Sequence, residues 1–395
     1  MEAPWVRVIA DDLTGACDVG AALLPWPRPV VVRALDAPPS PDDADALVVV
    51  NTQSRTCAPD VAAARVRAAL ADVPATGPGT LLKKIDTALR GQLGAEIDAA
   101  MDAVGAETAL VVAAIPEAGR TTVGGRQLVD GVPVDETAFA RDPQNPVHDA
   151  RVAAVIEGTS RRTARSAALG QDAATAIARA RADGANIVVG DAATDDDIRR
   201  WVVAARDAGI HVLVGSTGLA RAWRATCAEQ SPSGGRSAGR RVEGGVLVVS
   251  GSAHPVTATQ LAHLAGNRGA AVTAIDAFDV AAAVTRLAGG ETVCVTAPDA
   301  NDGDSGAVLE MLSAGALAVL QEGVPGAIVL IGGETAHHLL ARLGHPRLVI
   351  ESAPAALVVR ATIADGRLAG MALVTKGGSS GPPERLAELL DEVGR

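Results

Sequence analysis

Apolar runs alternate with amphipathic, helix-like stretches along almost the whole chain. Runs rich in Val, Ile, Leu and Ala occupy Trp5 to Ala10, Val30 to Arg33, Ala46 to Val50, Leu81 to Ile85 and Leu110 to Ala114, with helical periodicity near Val61 to Leu70 and Ala95 to Val104. Short apolar runs separated by helical segments predict strands covered on both faces, and hence an α/β fold with mostly parallel sheets flanked by helices. The rhythm continues through Asn186 to Gly190 and His211 to Gly215, then lapses over 229–245, where Ser231-Pro-Ser-Gly-Gly-Arg-Ser-Ala-Gly-Arg-Arg241 carries little apolar content. It resumes at Val246 to Ser250 and runs through Ala271 to Ile275, Thr292 to Thr296, Ala327 to Ile331 and Leu373 to Lys376. Two domains are therefore expected, 1–228 and 246–395, joined by a linker at 229–245.

The chain is 48% hydrophobic but only 2% aromatic, with no Tyr, so its cores must be built from small aliphatic side chains. A net charge of -11, without a basic stripe on any long helical segment, argues against nucleic acid as a partner. Cys17, Cys57, Cys227 and Cys294 lie far apart and form no Cys-x-x-Cys pair, which fits a reducing cytoplasm rather than a zinc site or disulfide framework. No leader-like segment is evident and no run approaches the roughly 18 apolar residues of a membrane span, so neither export nor membrane insertion is expected.

Polar clusters recur where strands should end, the place where ligands gather in open α/β sheets. Asp11 and Asp12 with Thr14 follow the first strand, Asn51-Thr-Gln-Ser-Arg55 follows another, and Lys83-Lys-Ile-Asp-Thr-Ala-Leu-Arg90 follows a third. Asp12 or Thr14 could serve only as a helix cap, and Lys83 to Arg90 could be a solvated helix start. Together, the clusters suit a small ligand bearing hydroxyls and a carboxylate: Arg grips a carboxylate bidentately and Asp accepts from hydroxyls. Some thirty residues between the strand near Val111 and the helix after Asp149 exceed an ordinary α/β connection. Within them, Gln127 to Val129 and Val132 to Val134 flank Asp130-Gly131, a hairpin signal. Arg120, Thr121 and Thr122 could donate to a carboxylate or phosphate there, while the hairpin, Gln127 to Pro133, caps the pocket or offers a surface for a homodimer.

In the second half, Ser250-Gly-Ser252, Gly332-Gly333-Glu334-Thr335 and Lys376-Gly377-Gly378 each follow a strand as glycine-containing turns. Exposed amides and the helix dipole favour phosphate at such places, although each turn alone could be a capping device. Neither the P-loop nor the dinucleotide glycine fingerprint occurs at them. The adjacent His337 and His338 would point apart on a helix, which disfavours metal binding, and His254 beside the first turn reads as a helix-start cap or surface residue.

Taken in order, Ile9-Ala-Asp-Asp-Leu-Thr-Gly-Ala, Lys83-Lys-Ile-Asp-Thr-Ala-Leu-Arg-Gly, Gly119-Arg-Thr-Thr-Val-Gly-Gly, Ala140-Arg-Asp-Pro, Val249-Ser-Gly-Ser and Gly332-Gly-Glu-Thr-Ala-His resemble the signature blocks of the four-carbon acid sugar kinases over nearly all of the chain. The resemblance implies an N-terminal acid-sugar domain, a C-terminal nucleotide domain, and transfer of the γ-phosphate of ATP, with Mg2+, to the C4 hydroxyl of a tetronate or 3-oxo-tetronate. By motif, Asp11, Asp12, Arg55, Lys83, Lys84, Asp86, Arg90, Arg120 and Thr121 would face the acid sugar, with Asp12 or Asp86 orienting or deprotonating the hydroxyl. Ser250, Ser252, Gly332 to Thr335 and Lys376 to Gly378 would face ATP. The Gly119 and Ala140 blocks look closer to the D-threonate and D-erythronate kinases than to the 3-oxo-tetronate branch. The chain departs from the pattern at Ala253-His254 and at Lys376-Gly-Gly-Ser-Ser-Gly381, where relatives carry a Cys-Ser pair and a Phe-Gly. A non-catalytic acid-sugar sensor would not need the glycine turns, and a nicotinamide-dependent dehydrogenase would need a glycine fingerprint that Ala10-Asp-Asp-Leu-Thr-Gly does not supply.

Overall fold

A computed structural model of the 395-residue chain describes residues 5–73, 79–168, 170–227, 244–268, 270–298, 305–323 and 325–393. The expected linker at 229–245 lies almost entirely outside the described residues. In chain order the first half contains β1 (Trp5–Ala10), α1 (Leu13–Ala22), β2 (Val30–Ala34), β3 (Leu47–Asn51), α2 (Pro59–Ala69), β4 (Gly79–Lys84), α3 (Leu93–Ala103), β5 (Ala109–Val112), β6 (Arg120–Val123), β7 (Arg126–Val129), β8 (Val132–Pro133), α4 (Val152–Glu157), β9 (Ala164–Ala167), α5 (Ala173–Ala182), β10 (Ile187–Gly190), α6 (Asp195–Asp207), β11 (Val212–Gly215) and α7 (Thr217–Cys227). The second half contains β12 (Val246–Ser250), α8 (Pro255–Arg268), β13 (Ala271–Ala274), α9 (Val280–Ala288), β14 (Thr292–Thr296), α10 (Ser305–Glu322), β15 (Ala327–Ile331), α11 (Gly333–Arg342), β16 (Leu348–Ala355), β17 (Val358–Ile363), β18 (Ala372–Lys376) and α12 (Arg385–Val393).

The chain divides into two compact units, Met1–Val30 with Pro38–Gly234, and Val31–Ala37 with Gly235–Arg395. The contiguous first domain expected over 1–228 is thus interrupted, because the segment carrying most of β2 packs with the second unit. The reason is visible in the ladder: β2 pairs antiparallel with β16, Val32 opposite Leu348 and Val31 opposite Val349.

In the first unit the strands run parallel in the order β3-β1-β4-β11-β5-β10-β9. Strands such as β5 and β10 are buried throughout, which is why they read as unbroken apolar runs rather than alternating ones. β1 lies between β3 and β4, so the helical crossovers diverge at its carboxyl end, the geometry that opens a crevice for ligand. The long insertion forms a separate small antiparallel sheet, β6-β7-β8. Asp130 and Gly131 both take positive φ, 51° and 80°, as a two-residue hairpin turn requires.

The second unit runs parallel through β13-β14-β12-β15-β18, then turns antiparallel through β17 and β16 to β2. Here too a switch point occurs, since β14 and β15 flank β12 on opposite sides. The core between this sheet and α8 and α12 is aliphatic, with Val248, Val329, Val374, Leu264, Leu386 and Leu389 buried together. No helix among the described residues is long and apolar enough to cross a membrane.

Candidate active site

At the switch point of the first unit, three strand ends deliver charge to one place. β1 ends in Asp11 and Asp12, and Asp12 caps α1: its Oδ1 accepts from Gly15 N at 2.8 Å and its Oδ2 from Thr14 Oγ1 at 2.6 Å. Arg55, on the loop after β3, grips both acids, donating from Nε and Nη2 to Asp11 at 2.9 Å each and from Nη2 to Asp12 at 2.7 Å. β4 ends in Lys83 and Lys84, whose side chains alternate across the strand. Lys83 forms a fully buried ion pair with Glu96 of α3 at 3.0 Å, and Glu96 also accepts from Ser54. Lys84 donates to Ile85 O at 2.7 Å. Beyond them Arg90 forks onto Asp86, at 2.7 and 3.2 Å, and reaches Asp142 at 2.9 Å.

The hairpin sheet brings in Arg120. Its guanidinium lies 5.0 Å from the Phe139 ring centroid, and that of Arg90 lies 5.2 Å from the same centroid, so one aromatic carries two cations. Gln127 locks the hairpin to the β4 loop by donating to Thr87 O at 2.8 Å. Thr121 follows Arg120 on β6 and therefore projects from the opposite face.

Burial and charge work against each other throughout. Burial alone would raise Asp11 and Asp86, but Arg55 and the lysines at Asp11, and Arg90 and Arg55 at Asp86, hold both below the ordinary carboxylate range. Burial would likewise lower Arg55, yet Asp11, Asp12 and Asp86 raise it well above its usual value. Arg120 is lowered by burial, opposed by Asp86 and Asp130. Asp12 and Asp86, the two candidates for a proton acceptor, are thus already engaged by strong donors, an arrangement that suits holding arginines in place. Two acids the sequence reading passed over complete the cluster: Glu96 beneath Lys83, and Asp18 on α1, which burial pushes up to about 7.

In the second unit the glycine turns converge on Ser252. Thr257 Oγ1 lies 3.2 Å from Ser252 Oγ and donates to Gly378 O at 2.7 Å, while Thr335 Oγ1 accepts from Gly251 N at 3.1 Å. Gly332 N donates to Lys376 O at 3.0 Å, and a Cβ on Gly332 would lie 3.8 Å from that of Ser252. Gly332 itself caps α11 at φ 99°, a conformation that suits glycine, and Gly333, Glu334 and Thr335 open that helix. Ser250, Ile331 and Lys376 are register partners across β12, β15 and β18, so their side chains share one sheet face. Lys376 is fully buried, donates to Gly377 O at 2.9 Å, and is lowered to about 8 by burial and by Arg385. His254 Nδ1 accepts from Val256 N at 3.3 Å in the first turn of α8. His337 and His338 stand edge to face at 89°, and among the described residues no group of His, Cys, Asp and Glu is arranged to hold a metal.

Residues 6–223 match a sugar-binding N-terminal domain and residues 247–386 a nucleotide-binding C-terminal domain. The chain is 31% identical to a D-threonate kinase of Salmonella typhimurium over 97% of each chain. The chain belongs to the four-carbon acid sugar kinase family. It is also 36% identical to a D-erythronate kinase of Heliobacterium modesticaldum over 65% of this chain and 59% of that one, and 30% identical to a 3-oxo-tetronate kinase of Brucella melitensis over 65% and 61%. A crystal structure of a Salmonella typhimurium LT2 protein shares the fold, with a TM-score of 0.76, 22% identity, and coverage of 98% of this chain and 99% of that one. As a four-carbon acid sugar kinase the chain is a phosphotransferase with an alcohol acceptor, and each of its two matched regions contains one of the switch points built above.

Proposed function

We propose that this four-carbon acid sugar kinase transfers the γ-phosphoryl of ATP to the C4 hydroxyl of D-threonate or D-erythronate. The observation that carries the reading is the pairing of full-length similarity to a D-threonate kinase with a buried, cation-rich switch point in the half that matches a sugar-binding domain. Arg55, Arg90 and Arg120, aligned by Asp11, Asp12, Asp86 and Phe139, would meet the acid sugar's carboxylate and hydroxyls. Lys84 would join them, while Lys83, paired with Glu96, would support the site from behind. In the second unit Ser252, Gly332 to Thr335 and Gly378 would cradle the phosphates through backbone amides, with Ser250 and Lys376 on the adjoining sheet face.

Phosphoryl transfer asks the protein mainly to position reactants and neutralise charge. Mg2+ binds chiefly through phosphates and water, which fits a chain whose described residues form no acidic metal cage, so it would enter with ATP and shield the triphosphate. A cytoplasmic location fits a chain in which none of the four cysteines is in a disulfide. The half-exposed Val123 and Val132 on the hairpin sheet are where we place a homodimer contact; sedimentation as a monomer at working concentration would remove it.

An ADP-release screen with D-threonate, D-erythronate and 3-oxo-tetronate stereoisomers tests the reading. Turnover on D-threonate or D-erythronate is expected; turnover only on a 3-oxo acid would move the chain to that branch, and ADP release with none of them would overturn the reading.

A further inference from the structure

Among the carboxylates around the first switch point, Asp18 stands apart. Asp11, Asp12, Asp86, Asp142 and Glu96 each accept from Arg, Lys, hydroxyl or backbone donors. Asp18 is only 9% exposed, yet its carboxylate makes no hydrogen bond or ion pair with any described residue. The charges that act on it are Lys84 from β4, Asp12 from the β1 turn and Arg55 from the loop after β3. The remaining element packed on α1 is α7, and it brings no charge to bear on Asp18.

Lys84 is its complement. Lys84 is more buried still; its ammonium donates to Ile85 O and forms no ion pair with any described residue, Asp18 included. Gly15, one turn before Asp18 on the same helix face, keeps the approach open, because a Cβ there would lie 3.4 Å from Lys84 Nζ and 2.5 Å from Asp12 Oδ1. A buried ammonium and a buried carboxylate act on each other here without touching. A hydroxyl satisfies both, since its oxygen accepts from the ammonium while its hydrogen is donated to the carboxylate.

We propose that Lys84 and Asp18 hold the acceptor hydroxyl of the acid sugar and that Asp18 takes its proton during transfer. As the hydroxyl oxygen bonds to the γ-phosphorus, the bond from that phosphorus to the β,γ-bridging oxygen breaks and its electron pair leaves on ADP. The hydroxyl proton passes to the Asp18 carboxylate and from there to solvent. The inference rests on the acid-sugar reading of the first unit. Burial, with Asp12 adding to it and Lys84 and Arg55 opposing, pushes Asp18 up to about 7, close to where a general base works best at neutral pH.

The test is the single-turnover rate of phosphoryl transfer across pH, in the full chain and in Asp18→Asn, with acid-sugar affinity measured separately by calorimetry without ATP. In the wild-type chain the rate should fall about tenfold per pH unit below about 7, as the base is protonated. Asp18→Asn should cut the rate at least a hundredfold, abolish that acidic limb, and leave acid-sugar affinity within a few-fold. A flat wild-type profile between pH 5 and 8 overturns the proposal without recourse to any variant. So does an Asn variant that keeps either its rate or its acidic limb. A wild-type chain that binds no tetronate at all would instead remove the acid-sugar reading, and the proposal with it.

Discussion

Asp12 serves the helix and the site with the same carboxylate. One oxygen caps α1 and helps fix Arg55, and the other accepts from Thr14. Asn is as good a cap as Asp, so Asp12→Asn should leave the thermal midpoint within a few degrees while turnover falls by orders of magnitude. Near-normal turnover in that variant would remove Asp12 from the mechanism. Asp18 makes the opposite prediction for stability. Its folded value of about 7 exceeds the ordinary 3.8, so the folded chain binds more protons than the unfolded one between these limits, and stability falls as pH rises through that window. The linkage is worth up to about 4 kcal/mol above pH 7. Asp18→Asn should therefore be indistinguishable from the wild-type chain near pH 4 and unfold at a higher temperature at pH 8, a site residue whose loss stabilises. Asp11 and Asp86 act with the other sign, because their depressed values stabilise the chain above the ordinary carboxylate range and that contribution is lost as pH falls. A melting-temperature series from pH 4 to 8 on both forms checks the Asp18 prediction, and extending it below pH 4 checks the opposite trend of Asp11 and Asp86; an Asp18→Asn curve parallel to the wild type would refute the buried-charge account.

Strands and their carboxyl ends were the most legible elements. β1, β12, β14 and β15 coincide with their apolar runs because parallel strands covered on both faces have no polar side to interrupt the pattern. β16 and β17 went unread because they are antiparallel and partly exposed, and Ser352, Glu351, Arg360 and Thr362 break up their apolar character. The same physics divides the site. Asp12, Arg55 and Lys84 announce themselves as polar groups following apolar runs, whereas Glu96 and Asp18 sit within helices. α1 is buried along its whole length, so it offers no polar face against which a misplaced acid would show; the one available signal was a carboxylate among Ala, Cys, Val and Gly. The glycine turns were legible as a group, but only the structure shows Gly378 against Ser252. A Cβ on Gly378 would fall 2.1 Å from Ser252 Oγ, forcing the Ser252 turn to move. Gly378→Ala should weaken ATP binding at least tenfold by calorimetry while leaving acid-sugar affinity unchanged. Equal loss of both ligands would mean that the substitution acts on folding rather than on the nucleotide turn.

At the scale of the whole molecule, the second unit is discontinuous, and the small segment borrowed from the first half is a stability element in its own right. Val31 and Val32 of β2 are almost fully buried and lie against Val349 and Leu348 of β16. Cutting the chain after the expected linker would strip β16 of this neighbour, exposing an edge that invites pairing with another chain. Burying one such Val is worth about 1.5–3 kcal/mol, so losing both should lower the unit's stability by a few kcal/mol even after discounting for relaxation. A fragment spanning residues 244–395 should consequently melt well below, and associate more readily than, the same fragment carrying residues 29–38 fused ahead of it by a flexible linker. The fused form should also bind ATP more tightly at elevated temperature, because folding and binding are linked. Identical melting and sedimentation of the two fragments would show that β2 merely rests on β16, and the second unit would then be the contiguous domain its sequence suggested.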